Sequence, residues 1–122
     1  MSTLKVTNIQ ATGETASRAV SGVAAAWVCY DQVTPAISDS INISSVSDYA
    51  TGEFITVFAS NMANANYSEA GMGRTYHVNS SSADNKTSSG DRHQTFYVSN
   101  TTGGRTSIDM NRSHVVYHGD LA

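Results

Sequence analysis

The chain has 122 residues, 39% of them hydrophobic and only 14% charged, with a formal net charge of −3. That length fits one domain burying about two-thirds of its unfolded surface on folding. The acidic balance and the absence of any Lys/Arg run exclude nucleic acid or an anionic membrane as the main partner, and no apolar stretch is long enough to span a bilayer.

Taken in order, Leu4, Val6 and Ile9 alternate with polar neighbours as a short strand or arm would, and residues 12–21 (TGETASRAVS) are too small and polar for a stable helix. Residues 22–31 (GVAAAWVCYD) read as a strand, because Trp27, Val28 and Tyr30 outweigh the alanines. Residues 32–35 form a turn around the single proline. Ile41 and Ile43 alternate with Asn42 and Ser44, the period of a strand with one buried face. Residues 48–52 (DYATG) collect turn formers, with Gly52 available for a positive φ. Glu53 to Ala59 (EFITVFA) returns as the other arm of a central hairpin. Phe54, Thr56 and Phe58 share one face and Ile55, Val57 and Ala59 the other, so cover is expected on both sides, the second from another subunit.

Tyr67 to Arg74 reads as a strand in which Gly71 and Gly73 suggest a bulge or a close backbone approach, and Tyr76 to Val78 continues it. Residues 79–91 (NSSSADNKTSSGD) contain no large apolar residue and are expected to form a long polar loop. Residues 94–99, 105–110 and 114–117 read as the last strands. The whole is an all-β chain of seven or eight short strands with turn signals at the spacing of an antiparallel β-sandwich.

Cys29 is the only cysteine, so no disulfide within the chain is possible and a reducing compartment is expected. The opening MSTLKVTNIQ lacks a charged-then-apolar leader pattern, which points to synthesis in a cytosol. The Asn-x-Ser/Thr sequons at Asn42, Asn66, Asn79, Asn85, Asn100 and Asn111 then read as a by-product of composition.

One string of residues has a familiar order: Ala26-Trp27-Val28, then 39–46 (DSINISSV), then Asp48, Thr51, Gly52, Glu53 and Phe54, then Phe58 and Met62, then Ala65-Asn66-Tyr67. With the opening Ser2-Thr3-Leu4-Lys5-Val6 and an ending of strand plus Gly119-Asp120, it resembles a family of small β-structured domains. Those domains occur in tail fibres and related virion proteins of tailed bacteriophages, common among phages of marine bacteria and cyanobacteria. The resemblance implies a jelly-roll-like antiparallel β-sandwich knob in a phage appendage, usually a homotrimer. The chain departs from that pattern at Cys29, where Asn is usual, in the turn at 31–35, at Ala63, where Pro is common, and throughout 79–91.

No catalytic motif stands out. Cys29 has no charged residue before Asp31 on its strand and reads as a small buried hydrophobe. Asp39, Asp48, Asp84 and Asp91 read as turn or cap residues. His114 and His118 share a strand face without a metal-ligand set inside one chain. No enzyme activity, cofactor or metal is therefore expected. Arg74, Tyr76, His77, Asn85, Lys86, Arg92, His93 and Tyr97 flank or occupy the polar loop and form the expected recognition surface for a host glycan or protein.

The expectation is an attachment arm over 1–21, carrying Leu4, Val6 and Ile9, and a knob over 22–122. Trp27, Ile41, Ile43, Phe54, Val57 and Phe58 would form its core and trimer contacts. Its partners would be other copies of the chain, other proteins of the tail, neck or capsid, and a host surface glycan. Its place would be the virion after synthesis in the bacterial cytoplasm. The alternative is a trimeric capsid or neck decoration or fibre protein with a purely structural role; an enzyme acting on capsular polysaccharide is a third reading without a motif.

Overall fold

The computed structural model describes residues 2–9, 18–19, 23–73, 77–81 and 85–122. The described chain is all-β, and every strand pairing in it is antiparallel. Among the described residues no helix is long and apolar enough to cross a membrane. Strands β1 (Asn8–Ile9) and β2 (Arg18–Ala19) form a small separate ribbon. The main sheet comprises β3 (Ala24–Asp31), β4 (Ala36–Ile41), β5 (Ile43–Ala50), β6 (Glu53–Phe58), β7 (Ser68–Gly73), β8 (His77–Ser81), β9 (Gly90–Val98), β10 (Arg105–Ser107) and β11 (Ser113–His118). Its order is β4-β3-β11-β7-β8-β9-β6-β5, with β10 beside the later half of β9.

The sheet curls until its two halves face each other. Tyr30 of β3 stacks on Phe54 of β6 with centroids 5.3 Å apart, and Phe58 meets Tyr117 of β11 edge-on at 5.0 Å. Neither pair of strands is adjacent in the sheet, so these contacts cross the interior. Ala26, Val28, Tyr30, Phe54, Phe58, Met62, Tyr67, Val115 and Tyr117 form one buried cluster. The alternation expected of 53–59 is observed: Phe54, Thr56 and Phe58 are buried while Ile55 and Val57 are half-buried on the outside.

The two ends of the strand order, β4 and β5, are one length of chain bent at Asn42. Asn42 has a φ of 56°, a conformation that asparagine tolerates better than most residues. Its side chain donates to the Ala25 and Ser60 carbonyls at 3.2 and 3.1 Å and accepts from the Ser60 amide at 2.7 Å. A strand that changes sheet at such a corner is how two packed layers share an edge. Asn42→Ala is expected to lower the unfolding free energy by about 2–3 kcal/mol through lost hydrogen bonds and added backbone strain. Asn42→Gly should recover about 1 kcal/mol of that, since glycine accepts the φ; urea denaturation of the three proteins checks the order.

Several elements differ from their sequence reading. The chain before Asn42 is a strand of its own, β4, and residues 48–50 extend β5 so that the hairpin turns on Thr51 and Gly52 alone. Gly52 does have a positive φ, 70°, and its amide donates to Asp109 Oδ1 at 2.6 Å. Gly71 and Gly73 lie in unbroken register opposite Val115 and Ser113, so β7 has no bulge there. Residues 105–110 are strand only to Ser107, because the chain then turns inward to a buried knot. There Gln32 Oε1 accepts from Thr95 Oγ1, the Met110 amide and Ser113 Oγ at 3.0, 3.2 and 3.1 Å.

The expected long loop at 79–91 is the largest correction. Residues 77–81 form β8, paired to β9 over its whole length, and β9 begins at Gly90. The turn between 85 and 90 is tied down: the Phe58 and Met62 amides donate to the Ser89 and Ser88 carbonyls at 2.9 and 2.8 Å. Small polar residues suit a strand well enough when a neighbouring strand pairs with it along its length, and hydroxyl-rich turns satisfy their own backbone. Residues 82–84, with Asp84, lie outside the described residues.

Candidate functional site

Alternate residues of β9 enter the interior, and they are polar: Asp91, His93 and Thr95 are 1%, 1% and 0% exposed. Register brings three more groups to them. Thr56 of β6 lies opposite Asp91, and Glu69 of β7 lies opposite Tyr117 of β11. Among the described residues β8 pairs with β7 at Met72 and Val78, and ligand atoms of Glu69 on β7 and of Asp91 and His93 on β9 lie within 4.8 Å of one another.

The connections run as a chain. Thr56 Oγ1 donates to the Asp91 carbonyl at 3.2 Å and meets the Tyr117 hydroxyl at 2.7 Å; that hydroxyl lies 2.5 Å from His93 Nε2. His93 Nε2 is 3.9 Å from Asp91 Oδ2, and the Arg92 amide donates to Asp91 Oδ1 at 2.8 Å. The Lys86 ammonium stands 3.7 Å from Glu69 Oε2 and 4.3 Å above the Tyr67 ring, whose hydroxyl donates to the Gly90 carbonyl at 3.1 Å. Lys86 and Glu69, at 21% and 16% side-chain exposure, are the members that reach solvent.

Burial governs the protonation of this cluster. Asp91 is pushed up to about 8, first by burial and then by sharing a proton with the Glu69 carboxylate and by its charge; the Arg92 amide and Lys86 oppose the shift. His93 is pushed down to about 4, again by burial first. The Tyr67 and Tyr117 hydroxyls are raised by burial, reinforced by Asp91 and Glu69. Both shifts favour the neutral forms of Asp91 and His93 in the interior.

These shifts set the pH dependence of stability. Asp91 keeps in the fold a proton that the unfolded chain releases at 3.8, so its contribution is full below that value and is lost as pH rises through about 8. His93 contributes fully above 6.5 and loses that contribution as pH falls through about 4. The two slopes cancel between about 4 and 6.5, and above 6.5 only Asp91's remains. In chelator-treated protein the unfolding free energy should be level over the first interval and fall by about 2 kcal/mol between pH 6.5 and 8. Asp91→Asn should abolish that fall in a series of urea melts.

The residues expected to form a recognition surface are distributed differently. Arg74 and Tyr76 lie outside the described residues, and His77 is described only through its backbone pairing with Tyr97. His93 faces the interior rather than the outside. Lys86 is held by Glu69 and Tyr67. Arg92 lies on the outer face, ion-paired with Glu53 and 4.3 Å over the Tyr49 ring, while Gln94 donates to the same Glu53 at 2.9 Å. Asn85 is exposed, and Tyr97 is 38% exposed. Of the expected arm, Leu4 is 85% and Val6 45% exposed, and the Ile9 side chain is outside the described residues.

Among the expected core and trimer residues, Phe54 and Phe58 are buried, and Trp27, Ile43 and Val57 are half-buried. Ile41 is 54% exposed in the single chain. Cys29 is not the buried hydrophobe expected: it is half-buried on the outer face, its sulfur 3.9 Å from His114 Nε2 and its register partner Asp39.

Sequence reasoning missed Glu69, and it read Asp91 as a turn residue. The available signal was the run Asp91-Arg92-His93-Gln94-Thr95, whose alternate members share one strand face. Comparison with family models, curated proteins and solved structures finds no match.

Proposed function

We propose that the chain is a non-enzymatic virion protein of a tailed bacteriophage: a homotrimeric, jelly-roll-like β-sandwich knob of tail-fibre type that binds a host-surface glycan or protein. The observation that carries the reading is the outer face of β4-β3-β11-β7. Register sets Ile41, Trp27, Val116 and Ala70 in one row across it and Asp39, Cys29, His114 and Met72 in the next. Ile41 in the first row is 54% and Met72 in the second 72% exposed, apolar side chains of the kind that a second copy covers. Leu4 and Val6, both exposed, fit an arm that docks elsewhere on the particle. Weak binding at each site would be multiplied by the copies present.

A structural decoration or fibre role is the second reading. It is favoured by the internal engagement of Lys86, Arg92 and His93, which leaves fewer free groups for a receptor than the sequence suggested. The test has two parts. Sedimentation equilibrium should give a trimer that Trp27→Arg converts to monomer, and a wild-type monomer at micromolar concentration would end the trimeric proposal. Purified trimer should then block phage adsorption; unimpeded adsorption, with antibody labelling on capsid or neck, would establish the decoration role instead.

A further inference from the structure

We propose that Glu69, Asp91 and His93 form a site for a divalent cation of the zinc or manganese class inside the curled sheet. The proposal stands apart from the virion reading and would hold for any role of the fold.

The three side chains each offer one ligand atom, and these atoms lie within 4.8 Å of one another. Two carboxylate oxygens and an imidazole nitrogen suit zinc or manganese, whereas calcium and magnesium prefer oxygen alone and copper(I) prefers sulfur. Ligands about 2.1 Å from a tetrahedral ion stand about 3.4 Å apart, so binding draws His93 Nε2 and Asp91 Oδ2, now 3.9 Å apart, together by about half an ångström.

A second observation points the same way. Asp91 is 1% exposed, and its Oδ2 meets no hydrogen-bond donor among the described residues. Its neighbours are the Glu69 carboxylate, an acceptor like itself, and His93 Nε2 at 3.9 Å. Two buried acceptor groups facing each other require either a proton or a cation between them. The Lys86 ammonium stands against Glu69, 3.7 Å from its Oε2. Ligands must be deprotonated to coordinate, so an entering ion sends to solvent any proton held between the two carboxylates.

His93 is already in the neutral form that a metal requires. Its hydrogen-bond partner Tyr117 also has Thr56 Oγ1 at 2.7 Å, so the tyrosine hydroxyl keeps a partner when the His93 nitrogen turns to a metal. Among the described residues the surface pair Cys29 and His114 competes for soft ions, and Cys29→Ser removes its thiol.

The experiment uses the full chain carrying Cys29→Ser, stripped with chelator and titrated with cobalt(II) and zinc(II). Expected are visible cobalt bands saturating at a single ion per chain, acidification of weakly buffered solution, and a rise in melting temperature with zinc. Asp91→Asn should keep the fold in chelator but lose the bands and the zinc-dependent rise; should it not fold, Glu69→Gln serves in its place. Lys86→Gln removes the competing ammonium and should tighten zinc binding severalfold. Absence of binding at millimolar metal, or binding that survives both carboxylate substitutions, overturns the site.

Discussion

Phe58→Ala is expected to lower the unfolding free energy by about 3–5 kcal/mol. Phe58 is 3% exposed and meets two rings edge-on, Tyr67 at 5.5 Å and Tyr117 at 5.0 Å. Truncation would leave a cavity between β6 and β11, the strands that close the interior across the curl, and would forfeit two edge contacts worth about 0.5–1.5 kcal/mol each beyond their area. A domain of this size commonly has only about 5–15 kcal/mol in hand. Val57→Ala, one residue away on the outer face, should have a far smaller effect. Urea melts of the two variants decide the matter, and equal losses would mean that the two faces of β6 have been exchanged.

Gly90→Ala should be nearly as severe, at about 3 kcal/mol or more. A Cβ at Gly90 would stand 2.3 Å from the Thr56 carbonyl oxygen, and backbone of a central strand pair has little room to retreat. The Gly90 carbonyl also receives the Thr87 amide and the Tyr67 hydroxyl, at 2.9 and 3.1 Å. A strand shift would therefore disturb the turn at 87–90 and the polar interior together. Thermal melting should show the loss directly. A melting temperature within a degree or two of wild type would mean that β6 and β9 separate more easily than their register implies.

The sequence made some of this architecture legible. Period-2 alternation in 53–58 correctly assigned the faces of β6, and the turn signal at Gly52 correctly located the hairpin. Alternation is a local property of one strand, so it survives without knowledge of the partner. β4 escaped because Ala36, Ile37, Ser38 and Asp39 are all exposed, so no burial pattern marks them. β8 is legible as strand only to Val78, as a continuation of β7, because Val78 is the one strong strand former in His77 to Ser81 and the rest owes its state to β9 beside it. Tertiary pairing outweighs such weak propensities.

The polar interior was harder still to read. Asp91 and His93 have the spacing of neighbours on one strand face, but polar alternation ordinarily marks the solvent side. Only the crossing of β7, β9 and β11 reveals that the polar face of β9 is the inner one. Glu69 carried no local signal, since its partners Lys86, Asp91 and Tyr117 come from distant segments. The same holds for Gln32, whose acceptor oxygen gathers donors from Thr95 and from Met110 and Ser113, all far along the chain.

The place of β11 between β3 and β7 bears on how the chain is born. Translation delivers β3 and β7 well before the strand that separates them. At about 5–20 residues per second, the stretch from Gly73 to His118 takes about 2–9 s to appear, whereas a hairpin forms in about 1–10 μs. Throughout that interval the facing edges of β3 and β7 lack their partner, and the nascent chain offers them to any strand nearby, including that of a neighbouring ribosome. Soluble yield should therefore respond to translation speed and to holding chaperones more than to the stability of the finished fold.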